Sequence, residues 1–199
     1  MRCDVQPRAA RKPLHERRRT AAPKEALRPA WRDRAQREGA PVNTLAFIDP
    51  RRDPWHTIEG EDGPLVTLTP ADHQLLTLLQ WHGIRQQWPT GLALGVSVPN
   101  DADIEALAAD LPRIALVVLH FPKWTDGRAY SQAHLLRSRY RYAGLIRAAG
   151  DVVVDMVPLL ARTGFSEAAL RGDQRLATAE RLLSDFEAVG HYQGSEARA

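Results

Sequence analysis

Arginine and aspartate residues concentrate in one stretch of the sequence, residues 121–165, which holds six arginines and three acidic residues. The stretch opens where an apolar run ends at Phe121, and its first loop residues include Asp126, Gly127 and Arg128. Guanidinium groups pair with oxyanions and carboxylates in a fixed geometry, and ligands of parallel α/β proteins gather outside the carboxyl ends of strands. The stretch therefore predicts a site for an anion or for an acidic partner.

We predict this binding site, for a small oxyanion or a protein partner, from nine polar residues, and no catalytic residue is assigned. They are Asp126, Arg128, Tyr130, Ser131, Arg137, Arg147, Asp151, Asp155 and Arg162. A helix that begins at Asp126 would also point free N–H groups toward the same crevice. The structural alternative is that Asp126 only caps this helix and that Arg137 pairs with Asp151 or Asp155. Both alternatives are open.

Motifs of conventional active sites are absent from the sequence. It has no Gly-rich dinucleotide loop and no Walker-type loop, its serines lack a nucleophile elbow, and its seven histidines show no metal-ligand spacing. We expect His73, His82 and His120 to be solvated or core side chains. The single cysteine, Cys3, excludes an internal disulfide, a Cys-ligated iron–sulfur cluster, a Cys-rich zinc site and a dithiol redox pair. We therefore predict no cofactor and no metal.

The N-terminal region differs in charge from the rest of the chain. Residues 1–40 hold 12 Lys and Arg against 5 Asp and Glu, whereas the remainder holds 15 basic and 19 acidic residues. The region is rich in Arg, Ala and Pro and lacks an aliphatic pattern, so we predict a disordered tail over 1–41. It could contact nucleic acid through the arginines at 17–19, act as a transit peptide, or be upstream sequence translated before a true start at Val42. We favour the last explanation, and nucleic acid is then not an expected partner.

From Gly91 onward the sequence pattern is typical of repeated βα units. Apolar runs at 92–98 and 114–121 predict strands, and the second run is apolar on both faces, as in a central parallel strand. Residues 142–148 and 167–170 predict a third and a fourth strand. About four βα units in series imply right-handed crossovers and a parallel sheet, which is either open or curled into a half-barrel.

A capped helix is predicted before these units. Thr69 is a suitable cap, Pro70 fits the first helical position, and Asp72 stands where a capping box requires an acid. The helix would end near Gly83, and three leucines would form its apolar face. These leucines are Leu75, Leu76 and Leu79.

Composition and pattern together predict a single α/β domain over residues 42–193, with a disordered tail at 1–41 and a disordered C-terminus at 194–199. A hydrophobic content of 44% is enough for a core of this size. No apolar run approaches the length of a membrane span, and the N-terminus lacks the apolar core of a secretory signal. We therefore expect a cytoplasmic protein that does not bind a membrane.

The block FPKWTDGRAYS at 121–131, followed by LLR at 135–137, resembles the hallmark of a proteobacterial family of unknown function. Members of that family are labelled oxidoreductases involved in sulfite reduction. The resemblance continues to Phe165 and covers roughly residues 43–193. The chain departs from the family at three positions, where the family often has Glu, Gln and Cys. These positions are Leu145, Met156 and Thr163.

This resemblance implies an accessory protein of assimilatory sulfite and sulfate reduction, the sulfur metabolism that leads to cysteine biosynthesis. Such proteins are typically encoded beside the haemoprotein subunit of sulfite reductase, and a non-catalytic partner of that subunit is our first hypothesis. The competing hypothesis is an enzyme that acts on a small anion, with Arg128, Arg137 and Arg147 as a clamp. Asp126 or Asp151 would then be the acid–base group. No redox motif in the chain supports the oxidoreductase label.

Overall fold

A computed structural model describes residues 45–57 and 69–189, which form seven strands, four α-helices and three 3₁₀ turns. The strands are β1 Ala46–Phe47, β2 His56–Thr57, β3 Gln74–Thr77, β4 Leu94–Val98, β5 Leu116–Phe121, β6 Leu145–Gly150 and β7 Glu167–Ala168. The helices are α1 Leu78–Ile84, α2 Arg128–Ser138, α3 Val157–Thr163 and α4 Leu176–Val189. The 3₁₀ turns are Ile104–Leu107, Leu111–Arg113 and Val154–Met156.

All seven strands belong to one parallel sheet with the order β1-β7-β6-β5-β4-β3-β2. From β2 to β7 each strand lies beside its neighbour in sequence, and β1 returns to the far edge beside β7. The sheet curls into a half-barrel with helices between successive strands. The predicted fold class is confirmed, and the open question between a flat sheet and a half-barrel is resolved in favour of the latter.

The two faces of the sheet have different surroundings. Strand pairing places Val96, Val117 and Ile146 side by side on the face that packs against the helices, and all three are fully buried. The neighbouring positions Ser97, Val118 and Arg147 lie on the opposite face, which we call the inner face. Side chains alternate between the faces of a strand, so every second residue of β4, β5 and β6 points away from the helices.

Helix α2 packs on the outer face of the sheet, which is the face opposite the inner face. It does so through the side chains that its helical spacing predicts. Ala129, Ala133 and Leu136 are fully buried, and Tyr130 makes an edge-on ring contact with Phe121 at the end of β5. A buried leucine contributes about 1.5–3 kcal/mol through removal of apolar surface from water. This packing fixes α2 against the strand whose loop carries the predicted site.

The predicted start of a helix at Thr69 is wrong. Residues 74–77 form β3, and α1 begins only at Leu78 with Thr77 as its cap. The backbone N–H of Gln80 donates to Oγ1 of Thr77 at 3.2 Å, and the backbone N–H of Thr77 donates to Oε1 of Gln80 at 2.8 Å. This is a capping box, which satisfies two N–H groups that the helix start would leave free.

The reason for this error lies in the apolar face assumed for that helix. Leu76 is fully buried in the sheet, while Leu79 remains 65% exposed instead of packing into the core. Asp72 does not cap a helix, because its carboxylate accepts the backbone N–H of Ala93 at 2.7 Å. Pairing of β3 with β4 therefore decided between two patterns that the leucines fit equally well.

The remaining elements differ from prediction mainly at their ends. Residues 104–107 and 111–113 form two short 3₁₀ turns, and of these only the first has a side-chain cap, from Asp103. The helix expected to begin at Asp126 begins at Arg128. The predicted domain over 42–193 stays a prediction at its ends. The tail at 1–41 and the C-terminus at 194–199 lie outside the described residues. Among the helices described, none is both long enough and apolar enough to cross a membrane.

Candidate functional site

The strands of a parallel sheet all end at one edge, and the loops after β4, β5 and β6 meet there. We call this the carboxyl edge. Ligands of parallel α/β proteins bind outside this edge because the loops, and not the strands, are free to vary in shape and chemistry. Two groups of the predicted site residues, those around Asp126 and Asp151, lie at it.

Asp126 is the centre of the first group. Its carboxylate accepts hydrogen bonds from Nδ2 of Asn100 at 2.7 Å and from Nη2 of Arg128 at 2.7 Å. The hydrogen bond from the Arg128 side chain, followed by that from the Arg128 backbone, lowers the pKa of Asp126 to about 2. Asp126 is thus a carboxylate at neutral pH, and Asn100 ties the loop after β4 to the loop after β5.

Arg128 is hydrogen-bonded to this carboxylate, but its side chain remains accessible to solvent. Its Nε and Nη2 atoms both bond Asp126, and its side chain is 58% exposed. The pKa of Arg128 is raised, chiefly by the hydrogen bond to Asp126. A small anion at this position would have to share the guanidinium with an internal acid.

Asp151 is the centre of the second group and fixes the loop after β5 from the end of β6. Its Oδ2 atom accepts the backbone N–H of Trp124 at 2.9 Å, and its Oδ1 atom accepts from Nη1 of Arg171. The hydrogen bond from Trp124, and after it the one from Arg171, lowers the pKa of Asp151. Gly150 makes this turn possible with a φ of 96°, a region where a Cβ atom would also collide with the carbonyl oxygen of Phe121.

Arg171 extends this group along the edge. It bonds Asp173 through Nε at 2.6 Å and through Nη2 at 2.7 Å, in addition to Asp151. The hydrogen bond from Arg171 lowers the pKa of Asp173, and the pKa of Arg171 is raised in turn. Each of these charged groups at the edge therefore already has a partner within the loops. Asp126 pairs with Arg128, Asp173 pairs with Arg171, and Asp151 has both a backbone partner and an arginine partner.

Trp124 lies between the two groups and was not among the predicted site residues. Its side chain is 58% exposed, while its backbone is held by Asp151. The next residues close a turn in which the backbone N–H of Asp126 donates to the carbonyl of Lys123 at 2.9 Å. The sequence motif did indicate Trp124 as a candidate, because it is an aromatic residue that precedes Asp126 in a polar loop.

Arg147 lies away from the carboxyl edge, on the inner face of β6. It donates to both oxygens of Asp53, at 2.5 and 3.0 Å, and to Oε2 of Glu167 at 2.8 Å. Its side chain is only 6% exposed. Burial lowers the pKa of Arg147, but the bonds to Asp53 and Glu167 outweigh burial, so the net pKa is raised. The trio ties the segment before β2 to β6 and β7.

Arg137 lies at the opposite edge of the sheet. Its guanidinium donates to the carbonyls of Gly164, Tyr142 and Gly144 and to Oγ of Ser166, at 2.6–2.9 Å. These acceptors come just before β6 and β7 begin. Burial lowers the pKa of Arg137. The predicted pairing of Arg137 with Asp151 or Asp155 is wrong, because backbone carbonyls and a serine satisfy the side chain.

The other predicted site residues are distributed over the surface and the core. Tyr130 is half-buried between Phe121 and Phe165, and burial raises the pKa of its phenol. Three are exposed on α2, on the 3₁₀ turn before α3 and on α3, and their side chains bond no other described residue. They are Ser131, Asp155 and Arg162. The nine residues thus do not form one cluster, and their role in binding stays a prediction.

A cavity of about 630 Å³ opens at the carboxyl edge between β3, β4 and β5. Its lining residues are Thr77, Leu78, Leu79, His82, Ser97, Pro99, Asn100, His120 and Pro122. Oγ of Ser97 and Nε2 of His120 lie 2.9 Å apart within it. Burial lowers the pKa of His120, so its imidazole is neutral at pH 7.

Sequence reasoning missed this pair, because the serine and the histidine belong to different strands. Ser97 pairs in register with Val118, two residues before His120, so both side chains point to the inner face. A hydrogen-bonded Ser–His contact is also the arrangement of a nucleophile and a base. Among the described residues, no carboxylate bonds His120, and no group of three metal-ligating side chains is close enough to hold an ion.

A family model described as "Bacterial protein of unknown function (DUF934)" matches residues 95–199, which is more than half of the chain. The chain belongs to this family. The match begins within β4 and includes the loops after β4, β5 and β6, from Asn100 to Asp173. No curated protein matches the chain.

Proposed function

We propose that this family member is an accessory protein of assimilatory sulfite and sulfate reduction that binds the haemoprotein subunit of sulfite reductase through its carboxyl edge. The pathway and the partner rest on the resemblance of the 121–165 stretch to proteins labelled with sulfite reduction. The contact surface rests on one structural observation, which is the exposed side chain of Trp124 on a backbone that Asp151 holds.

Trp124 has the properties of a residue that anchors a protein–protein contact. Tryptophan, tyrosine and arginine are enriched among residues that dominate binding energy, because they bury a large area on association. An exposed tryptophan is otherwise unfavourable at a surface. Its backbone is held by Asp151 and by the turn at Lys123, so little loop freedom would be lost on binding.

The charged groups around Trp124 fit the polar rim of such a contact. Arg128 and Arg171 are both partly exposed, and each is held by a carboxylate. Paired charges of this kind orient a partner and lose little when the complex forms, since their strongest bonds are already internal. A partner with a complementary charge pattern and an apolar pocket is therefore expected.

Co-purification tests this proposal with a pair of variants. The tagged chain is co-expressed with the haemoprotein subunit, and recovery of that subunit is compared for the wild type, Trp124→Ala and Leu135→Ala. Leu135 is a matched control because it is also exposed, at 39%, but lies near the far end of α2, toward the edge where Arg137 binds. We expect Trp124→Ala to reduce recovery at least tenfold, as truncation of a binding anchor does, and Leu135→Ala to leave it unchanged.

The outcomes separate the parts of the proposal. If the wild-type chain does not retain the haemoprotein, and a deletion strain grows normally on sulfate as sole sulfur source, the assignment to this pathway is refuted. If the haemoprotein is retained equally by both variants, the pathway stands and Trp124 is not the anchor. Urea denaturation of each variant confirms that a loss of binding is not a loss of folding.

A small-anion enzyme is the second candidate, and the exposure of Arg128 is the observation that favours it. More than half of its side chain is open to solvent, so one face of the guanidinium could meet an oxyanion. Thermal denaturation with sulfite, sulfate or phosphate at millimolar concentration tests this function. Stabilisation that is lost in Arg128→Ala would support it, and no stabilisation by any of the three would exclude it.

A further inference from the structure

The cavity at the carboxyl edge has walls of a different character from the charged loops beside it. Four of its lining residues are apolar, namely Leu78, Leu79, Pro99 and Pro122. The others are Thr77, His82, Ser97, Asn100 and His120. Among the described residues that line it, none is an arginine, a lysine or an acid.

Hydrogen-bonding groups converge on one part of these walls. Ser97 and His120 lie 2.9 Å apart, and each can both donate and accept a hydrogen bond when the imidazole is neutral. Asn100 bonds Asp126 through its Nδ2 atom, and its Oδ1 atom accepts no hydrogen bond from another described residue. A polar ligand group that donates and accepts would be satisfied here, whereas a charged group would meet no opposite charge.

The walls are also held in place from outside the cavity. Nε2 of Gln132 on α2 donates to the carbonyls of Pro99 and Ala102, at 3.0 and 2.9 Å, and fixes the loop after β4. The capping box between Thr77 and Gln80 fixes the start of α1, which carries Leu78 and Leu79. A preformed site of this kind loses little ordering entropy when a ligand binds.

We propose that this cavity binds an uncharged, partly apolar small molecule, whose polar end both donates and accepts hydrogen bonds with Ser97 and His120. A volume of about 630 Å³ suits a molecule of metabolite or cofactor size. A primary amide on an aromatic ring has the required chemistry. The assignment is independent of the contact made by Trp124, whose side chain is not among the lining residues.

Benzamide and benzoate are the probes, because they have the same size and shape and differ in charge. Each is titrated into the ¹⁵N-labelled chain, and amide shifts are followed by NMR. We expect benzamide to give saturable shifts at residues that line the cavity, with a Kd in the millimolar range for so small a molecule. Benzoate should bind at least tenfold more weakly, since its carboxylate would be desolvated without a cation.

Variants of the serine and the histidine test the polar end of the site. Ser97→Ala and His120→Leu should each raise the benzamide Kd about three- to tenfold, the range for loss of one hydrogen bond to a neutral group. Ser184→Ala is the matched control, because Ser184 is an exposed serine on α4 that does not line the cavity and is not among the predicted site residues. Thermal denaturation of each variant shows that it is folded.

Three results would overturn the proposal. The first is a benzoate Kd equal to or below that of benzamide, which would show an anion site. The second is an unchanged benzamide Kd in both Ser97→Ala and His120→Leu. The third is the absence of saturable shifts at the cavity residues with benzamide.

Discussion

Replacement of Arg137 by alanine should destabilise the fold without touching the carboxyl edge. The guanidinium holds together three elements, since it lies on α2 and bonds the residues just before β6 and before β7. Its loss would remove four hydrogen bonds and leave three backbone carbonyls without this donor. Hydrogen bonds from charged groups contribute about 1.5–3 kcal/mol each when measured singly.

The sum of these values overstates the effect, because the bonds share one side chain and water can reach part of the site. We expect a loss of about 3–5 kcal/mol in the free energy of unfolding. Since small domains have a total of about 5–15 kcal/mol, this loss would be a large fraction of the stability of the fold. Arg137→Lys should also be destabilised, by about 2 kcal/mol, because an ammonium group lacks the planar fork that reaches several acceptors at once.

Urea denaturation followed by circular dichroism measures these changes from the midpoint and the slope of the transition. Arg139→Ala is the matched control, because Arg139 lies two residues away in an exposed pair with Glu105, where both side chains are 60% exposed. Its effect should stay within about 0.5 kcal/mol. A loss below about 1 kcal/mol for Arg137→Ala would refute the structural role, and loss of function in a fully stable variant would restore Arg137 to the binding site.

Two further predictions follow from the other charged groups. Arg128→Ala should raise the pKa of Asp126 from about 2 toward its ordinary value, as followed by NMR of the side-chain carboxyl; an unchanged midpoint would show that Arg128 is not the cause. Because the pKa is lowered in the fold, the stabilisation that Asp126 provides is present above the pKa of the unfolded chain and is lost as the pH falls through about 2. Arg147→Met should reduce the free energy of unfolding by about 3–5 kcal/mol, since it leaves the carboxylates of Asp53 and Glu167 facing each other in a largely buried place. In thermal denaturation, an unchanged midpoint for Arg147→Met would contradict this.

The type of secondary structure was predictable wherever the apolar pattern of a segment fits only one kind of element. The run at 114–121 is apolar at nearly every position, and only a strand covered on both sides buries all of it; the structure shows β5 there. The spacing of Ala129, Ala133 and Leu136 fits only a helix, and all three are buried on α2. Such patterns act locally, so they can be recognised without knowledge of the neighbours.

Prediction failed where the same residues fit two patterns. Leu75, Leu76 and Leu79 have helical spacing, but Leu75 and Leu76 lie on β3, whereas Leu79 lies exposed on α1. The sequence TLLQ at 77–80 contains the capping box that marks the true start. The apparent helix start at Thr69 looked stronger than this capping box. The helix and strand propensities of these residues differ too little to decide between the two starts.

The sequence by itself determined the four strands β4 to β7, their parallel direction and the placement of Asp126 and Arg128 at the end of a strand. It did not determine β1, β2 and β3, which complete the sheet. It could not determine which arginines share an edge. Helix α2 rises about 1.5 Å per residue, so it carries Arg137 roughly 13 Å from Arg128, from the carboxyl edge toward the opposite one. Residues that are neighbours in sequence are thereby separated.

Ser97 and His120 show the converse effect. They are far apart along the chain, and neither has a motif around it. Only the register between β4 and β5 brings their side chains together on the inner face, 2.9 Å apart. Register is set by the packing of both strands against the whole sheet, and a strand's own residues do not specify which residue of its neighbour will lie opposite. For that reason the cavity became visible only in the tertiary structure.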